Sequence, residues 1–194
     1  KRRVEFAHEK YPLDKRFGGA EYESLAALGS MLAIDNLPAV AHGNQICNLQ
    51  GLDVVSTGAV IAFAVECFEN GILTEADTGG RTLRYGDADA MIWLIEQIAS
   101  RSGLGNVLAE GVKRASEKIG RGAEKFAFHI KGQELPFHDG RGKTGMAMGF
   151  ALSPTGADHI ETPHDVAFQG EGVSRIRCGS DARAPVSQAR KSRG

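Results

Sequence analysis

Apolar positions recur at helical spacing through much of the chain. From Tyr22 onward, Leu25, Leu28, Met31 and Leu32 share one face and predict an amphipathic helix. Asp35 or Asn36 is placed to cap a second helix with Pro38 near its first turn. Leu37, Val40, Ala41 and Cys47 lie roughly along its apolar stripe, and Gly51 supplies a left-handed stop. Ser56 and Thr57 are candidate caps for a third helix. Its body, Ala59 to Val65, is apolar on every side, and a helix without a polar face is normally buried, so this one should be central. Asn70-Gly71 ends it.

A loop runs on to Tyr85-Gly86. Asp87 then caps a fourth helix bearing Met91, Ile92, Leu94, Ile95 and Ile98. Leu104, Leu108, Val112, Ala115 and Ile119 predict a fifth, ending at Gly120, with Glu110 and Arg114 as an i,i+4 ion pair. Phe126 to Ile130 alternates weakly, as a short strand does. From Gln133 to Asp165 the chain is rich in Gly, Pro, His and Asp, the composition of a site-forming loop region. The expected fold class is mainly α, a helical bundle-like domain with little β. The expected organisation is a helical domain over 1–125, a partial loop-rich domain over 126–178, and a disordered or foreign tail over 179–194.

Composition narrows the function. Across 194 residues, 23 Lys plus Arg face 24 Asp plus Glu, for a net charge of −1. Partners that select a basic excess, nucleic acids and anionic membranes, are therefore not expected. No apolar run reaches the ~18 residues a membrane span needs. Cysteines at 47, 67 and 178 form no Cys-x-x-Cys, so neither a disulfide scaffold nor a closed zinc or iron–sulfur motif is expected. That usage fits the reducing cytoplasm. The chain starts at Lys1 in a charged segment without a helix start signal, which suggests a piece of something longer.

Three groups of residues could carry chemistry. Glu21 and Glu23 flank Tyr22 at the start of the first helix. Carboxylates favour that position through the helix dipole, and a glutamate turned into a pocket would serve as a general acid or base. Three His–Asp neighbours, His138-Asp139, Asp158-His159 and His164-Asp165, are either metal ligands or ordinary polar-loop residues. They lack a His-x-x-x-His face, and no metal ligand set is assigned. Gly140, Gly142, Gly145 and Gly149 fit no phosphate-loop spacing and read as turn and close-packing glycines. Finally, Cys47 to Asp53 joins a helix end to a helix start through a glycine turn. Such a turn can hold a flat hydrogen-bonding heterocycle, with Ser56-Thr57-Gly58 adding hydroxyl and N–H groups, or it can simply cap two helices.

The run Gly19-Ala20-Glu21-Tyr22-Glu23-Ser24-Leu25, followed by Cys47-Asn48-x-x-Gly51-Leu52-Asp53 and Ser56-Thr57-Gly58, resembles the aldehyde ferredoxin oxidoreductase family. Leu108-Ala109-Glu110-Gly111, Glu134-Leu135-Pro136, Asp139-x-Arg141-Gly142 and His159-Ile160 follow in the family's order. The resemblance implies the second domain and the start of the third of an enzyme that oxidises aldehydes or related carbonyl compounds. It implies a tungsto- or molybdo-bis-pterin beside a [4Fe–4S] cluster, with ferredoxin or an electron-transfer subunit as acceptor. By motif position, Glu23 and His159 are the implied catalytic residues. Asn48, Gly51, Leu52 and Asp53 are the implied pterin-binding residues, with Asn48 standing where the family has an aspartate.

Other family features depart. The cluster cysteines match nothing here, so the isolated chain is expected to be inactive. The positions of a subunit-bridging iron motif hold His42 to Gln45 and Asp89 to Ile92, so a homodimer would lack that iron. A lysine of some members is Glu161 here. Two other readings stay open, a catalytically silent helical interaction module and a His/Asp metal-dependent hydrolase.

Overall fold

The computed structural model describes residue 4 and residues 7–162 and 164–168. Contacts divide the chain after Phe137 into two units. The expected tail over 179–194 lies outside the described residues.

The first unit is helical: α1 (Tyr22–Leu28), α2 (Leu37–Gln50), α3 (Val54–Glu69), α4 (Ala88–Ser100), α5 (Gly105–Leu108) and α6 (Gly111–Ile119), followed by a hairpin of β1 (His129–Ile130) and β2 (Gln133–Glu134). Its core forms around α3, as an all-round apolar helix requires. Val60, Ile61, Phe63, Ala64, Val65 and Cys67 are buried there, in one cluster with Leu28, Met91, Leu94, Ile95, Val112 and Ala115. Among the described residues no single helix is long and apolar enough to cross a membrane.

Asp87 caps α4 as the sequence predicts, accepting from the Ala90 amide at 2.9 Å, and of the two candidates Asp35 and Asn36 it is Asn36 that caps α2, accepting from the Ala39 amide at 3.2 Å. The third cap is a correction. Ser56 and Thr57 lie inside α3, and Asp53 caps it by accepting from the Ser56 amide at 2.7 Å. An aspartate three residues ahead of that amide has the reach of an N-cap, and the Thr57 hydroxyl instead donates back to the Asp53 carbonyl at 2.6 Å.

Two predicted helices are shorter than their apolar periodicity suggests. The first stops at Leu28. The chain turns through a 3-10 segment, Ser30–Leu32, because the Ile34 amide folds back to donate to the Gly29 carbonyl at 2.9 Å and Ala33 is left-handed at φ 54°. The fifth is broken into α5 and α6 at Gly111, φ 83°, where the Val112 amide leaves the helical ladder for a side-chain acceptor. The Glu110–Arg114 pair spans 3.6 Å, and Glu110 makes a shorter contact, 2.7 Å, to Arg101.

The predicted strand from Phe126 begins instead as a 3-10 turn, Ala123–Phe126, and pairing starts only at His129. The hairpin turns through Lys131 and Gly132, at φ 56° and 96°, the doubly positive geometry of a tight two-residue loop.

The second unit starts at His138. It contains a helix, α7 (Thr144–Leu152), within the region predicted to be loop, and a 3-10 turn, Asp165–Phe168. Composition hid α7 because its glycines serve packing. A Cβ on Gly149 would come within 2.4 Å of the Thr162 hydroxyl oxygen.

Candidate functional site

The turn between α2 and α3 is built by its own backbone. Gly51 takes φ 68°, the Leu52 amide donates to the Cys47 carbonyl at 2.8 Å, and the two helices bend by 117°. This is a Schellman-like stop followed at once by an N-cap. The turn brings Asn48, Gly51, Leu52 and Asp53 together. Asn48, Gly51 and Asp53 are exposed and Leu52 is half-buried. A Cβ on Gly51 would meet nothing within 4 Å, so the turn opens outward. Asn48 donates its side-chain amide to the Asn44 carbonyl at 2.7 Å, which orients its amide oxygen as an acceptor. Asp53 uses one oxygen on the Ser56 amide. The turn therefore offers acceptors suited to the ring N–H and amino donors of a pterin, and the residues present fit that group.

An iron–sulfur cluster does not fit the described cysteines. Cys47 and Cys67 are buried free thiols. Burial pushes Cys47 up to about 12, with the Asp53 charge adding to it, and Cys67 up to about 11. A cluster ligand must be a thiolate.

Glu23 lies in the first turn of α1, half-buried. One of its oxygens accepts from the Tyr22 hydroxyl at 2.7 Å and the other from the Phe137 amide at 3.0 Å. The carboxylate is thus held at both oxygens within the first unit. Partial desolvation, together with the hydrogen bond to Glu23, pushes the Tyr22 phenol up to about 12. The two positions matched to the bridging-iron motif engage the N-terminal segment. Asp89 accepts from Lys10 and Tyr11, and His42 Nδ1–H donates to the Pro12 carbonyl at 2.7 Å.

In the second unit the three His–Asp neighbours separate by residue type. The histidines converge: ring centroids lie 4.9 Å apart for His138 and His159, 4.6 Å for His138 and His164, and 6.1 Å for His159 and His164. The aspartates do local work. Asp139 binds Arg141, Asp158 accepts from the Ile160 amide, and Asp165 accepts from the Gly145 and Met146 amides at the start of α7. Glu161 accepts from the Ser153 and Thr155 hydroxyls.

Sequence reasoning paired each histidine with its neighbouring aspartate and missed that the imidazoles meet. The recurrence of His in one short span was the available signal. It also missed the role of Glu134, a buried carboxylate on β2. Its available signal was its place in Glu134-Leu135-Pro136, one of the segments that follow in the family's order.

Comparison with known proteins agrees with this architecture. The family model for aldehyde ferredoxin oxidoreductase, domains 2 & 3, matches residues 1–192. The chain is 38% identical over 189 residues to the tungsten-containing aldehyde ferredoxin oxidoreductase of Pyrococcus horikoshii, covering 88% of this chain and 30% of that protein. It is 40% identical over 144 residues to the tungsten-containing aldehyde ferredoxin oxidoreductase of Thermococcus kodakarensis, covering 74% of this chain and 24% of that one. Among solved structures, the active site complex BamBC of benzoyl coenzyme A reductase, in complex with 1,5-dienoyl-CoA, matches with a TM-score of 0.58 and 27% identity, over 71% of this chain and 21% of that one. The fold and the matches define a mainly helical segment of an oxidoreductase. The chain belongs to the aldehyde ferredoxin oxidoreductase family, in its domains 2 and 3. It spans between about a quarter and a third of the length of these relatives.

Proposed function

We propose that this chain forms part of a cytoplasmic, tungsten- or molybdenum-pterin oxidoreductase. It acts on aldehydes or related carbonyl compounds and passes electrons to ferredoxin or a similar acceptor, in a parent enzyme that would carry a [4Fe–4S] cluster. The observation that carries this reading is the open turn Asn48–Asp53, with its acceptors grouped at one helix junction, in a chain matched to the family over 1–192. The cluster's ligands would come from outside the described residues.

For an aldehyde the balance is RCHO plus H2O to RCOOH plus two protons and two electrons. The bound metal–pterin group supplies the two-electron acceptor. Asn48 and Asp53 would hold and orient the pterin. His159 donates a hydrogen bond to the substrate oxygen. Glu23, fixed by Tyr22 and the Phe137 amide, takes the proton released as water adds. Positioned acid–base groups of this kind contribute about 10²–10⁴-fold.

The test uses the whole enzyme that contains this chain. Glu23→Gln is expected to lower kcat/KM by about 10²–10⁴-fold with tungsten or molybdenum content unchanged. Full turnover in that variant removes Glu23 from the mechanism. Purified whole enzyme without either metal removes the reading altogether.

A second reading, metal-dependent hydrolysis, is favoured by one observation, the convergence of His138, His159 and His164. It requires zinc, manganese or iron in the purified protein, and loss of that metal in His159→Ala or His164→Ala. Unchanged metal content in both variants removes it.

A further inference from the structure

We propose that Glu134 is a positioning residue that sets the cofactor-facing turn by clamping the first turns of two helices. The inference rests on the reading of Asn48–Asp53 as a pterin cradle.

Glu134 is 7% exposed. A carboxylate taken out of water must be met by donors at both oxygens. One oxygen accepts from the Val112 amide at 2.7 Å, at the start of α6, and the other accepts from the Ser56 hydroxyl at 3.0 Å, in the first turn of α3. The first oxygen therefore sits at the positive end of α6, where a negative charge is stabilised, and the second is met by a hydroxyl.

The space for this carboxylate is made by Gly111. Its φ of 83° suits glycine, and a Cβ there would stand 2.9 Å from the Glu134 oxygen. The break that splits the predicted fifth helix thus coincides with the seat of this carboxylate.

Ser56 links the clamp to the turn. Its hydroxyl goes to Glu134 and its amide goes to Asp53 at 2.7 Å. A continuous chain therefore runs from Val112 through Glu134 and Ser56 to Asp53. It fixes how the first turn of α3 is rotated, and so where the Asp53 carboxylate points. Glu134 acts through Ser56 and touches no substrate.

The experiment measures cofactor retention in the whole enzyme. Metal and pterin lost during timed dialysis are compared among Ser56→Ala, Glu134→Ala, Glu134→Gln, Asp53→Ala and the core control Leu94→Ala, with Tm recorded for each. Losing one hydrogen bond to a charged group is expected to speed cofactor loss about tenfold in Ser56→Ala and Glu134→Ala. The double variant should add little, because the two act in series. Glu134→Gln keeps the shape, accepts from Val112 and can still bond Ser56, so it should largely restore retention. Leu94→Ala should lower Tm without faster loss.

If Ser56→Ala and Glu134→Ala shed cofactor no faster than the core control, while Asp53→Ala does, the positioning role fails alone. If Asp53→Ala retains the cofactor like the unaltered enzyme, the cradle reading fails and takes this inference with it. Ser56→Ala keeps the test open should Glu134→Ala not fold.

Discussion

Gly58 of α3 packs backbone to backbone against Ala27 of α1, so closely that a Cβ on Gly58 would stand 2.6 Å from the Ala27 carbonyl oxygen. This seam joins the helix that carries Glu23 to the helix capped by Asp53. Neither partner atom is the flexible end of a side chain, so added volume must push the helices apart. Gly58→Ala is therefore expected to destabilise the protein by about 1–3 kcal/mol, read by denaturant unfolding. In the whole enzyme it should also lower activity. Unchanged stability would show that α1 and α3 separate freely.

The proposed role of His159 makes a separate prediction. Its ring is packed against His138 and stands opposite His164. Replacing it with alanine in the whole enzyme is expected to reduce kcat/KM by about 10²–10⁴-fold while metal and pterin content stay as before. A lower content with normal turnover per metal would instead make it a structural residue.

Thiol chemistry offers a third check. Cys47 and Cys67 are buried, and burial holds both thiols well above their ordinary range, at about 12 and about 11. At pH 8 neither should react with iodoacetamide in the native protein, because the thiolate is the nucleophile. Both should react once the chain is unfolded. Peptide mapping by mass spectrometry reads the two sites individually, and native labelling of Cys47 would contradict its burial.

Acid should weaken one loop contact in a defined window. The Arg121 guanidinium beside Asp77, together with the Thr74 amide and hydroxyl, holds that carboxyl at about 2. A depressed carboxyl contributes stability that is fully present above its unfolded value, ~3.9, and is lost as pH falls through the folded value. Stability should therefore fall between about pH 4 and pH 2. Asp77→Asn should flatten that part of the profile, as followed by urea unfolding at each pH.

Much of the fold was legible because the signals are local. The Asn36 and Asp87 caps, the Gly51 stop and the all-apolar body of α3 each depend on a few adjacent residues. The failures share a physical cause. Ser56 and Thr57 looked like caps because hydroxyls commonly cap helices, yet Asp53 reaches the same amide. Leu104 to Ile119 keep helical periodicity through Gly111, and the break there coincides with a contact to Glu134, far along the chain. Of the candidate site, the turn residues Asn48 to Asp53 were legible as a group, since sequence neighbours in a tight turn stay neighbours in space. The meeting of His138, His159 and His164 was not.

By itself, the sequence determined the helical class, the central place of α3 and the glycine turn that gathers Asn48, Gly51, Leu52 and Asp53. Periodicity, capping and left-handed glycine act over a handful of residues, so composition and order suffice to reveal them. Packing of the folded chain is what lets Glu134 bridge Ser56 and Val112, sets Gly58 against Ala27, and gathers three histidines in one cluster while their neighbouring aspartates turn to backbone amides and Arg141. Those contacts join residues distant in the chain, and their geometry exists only once the core has packed.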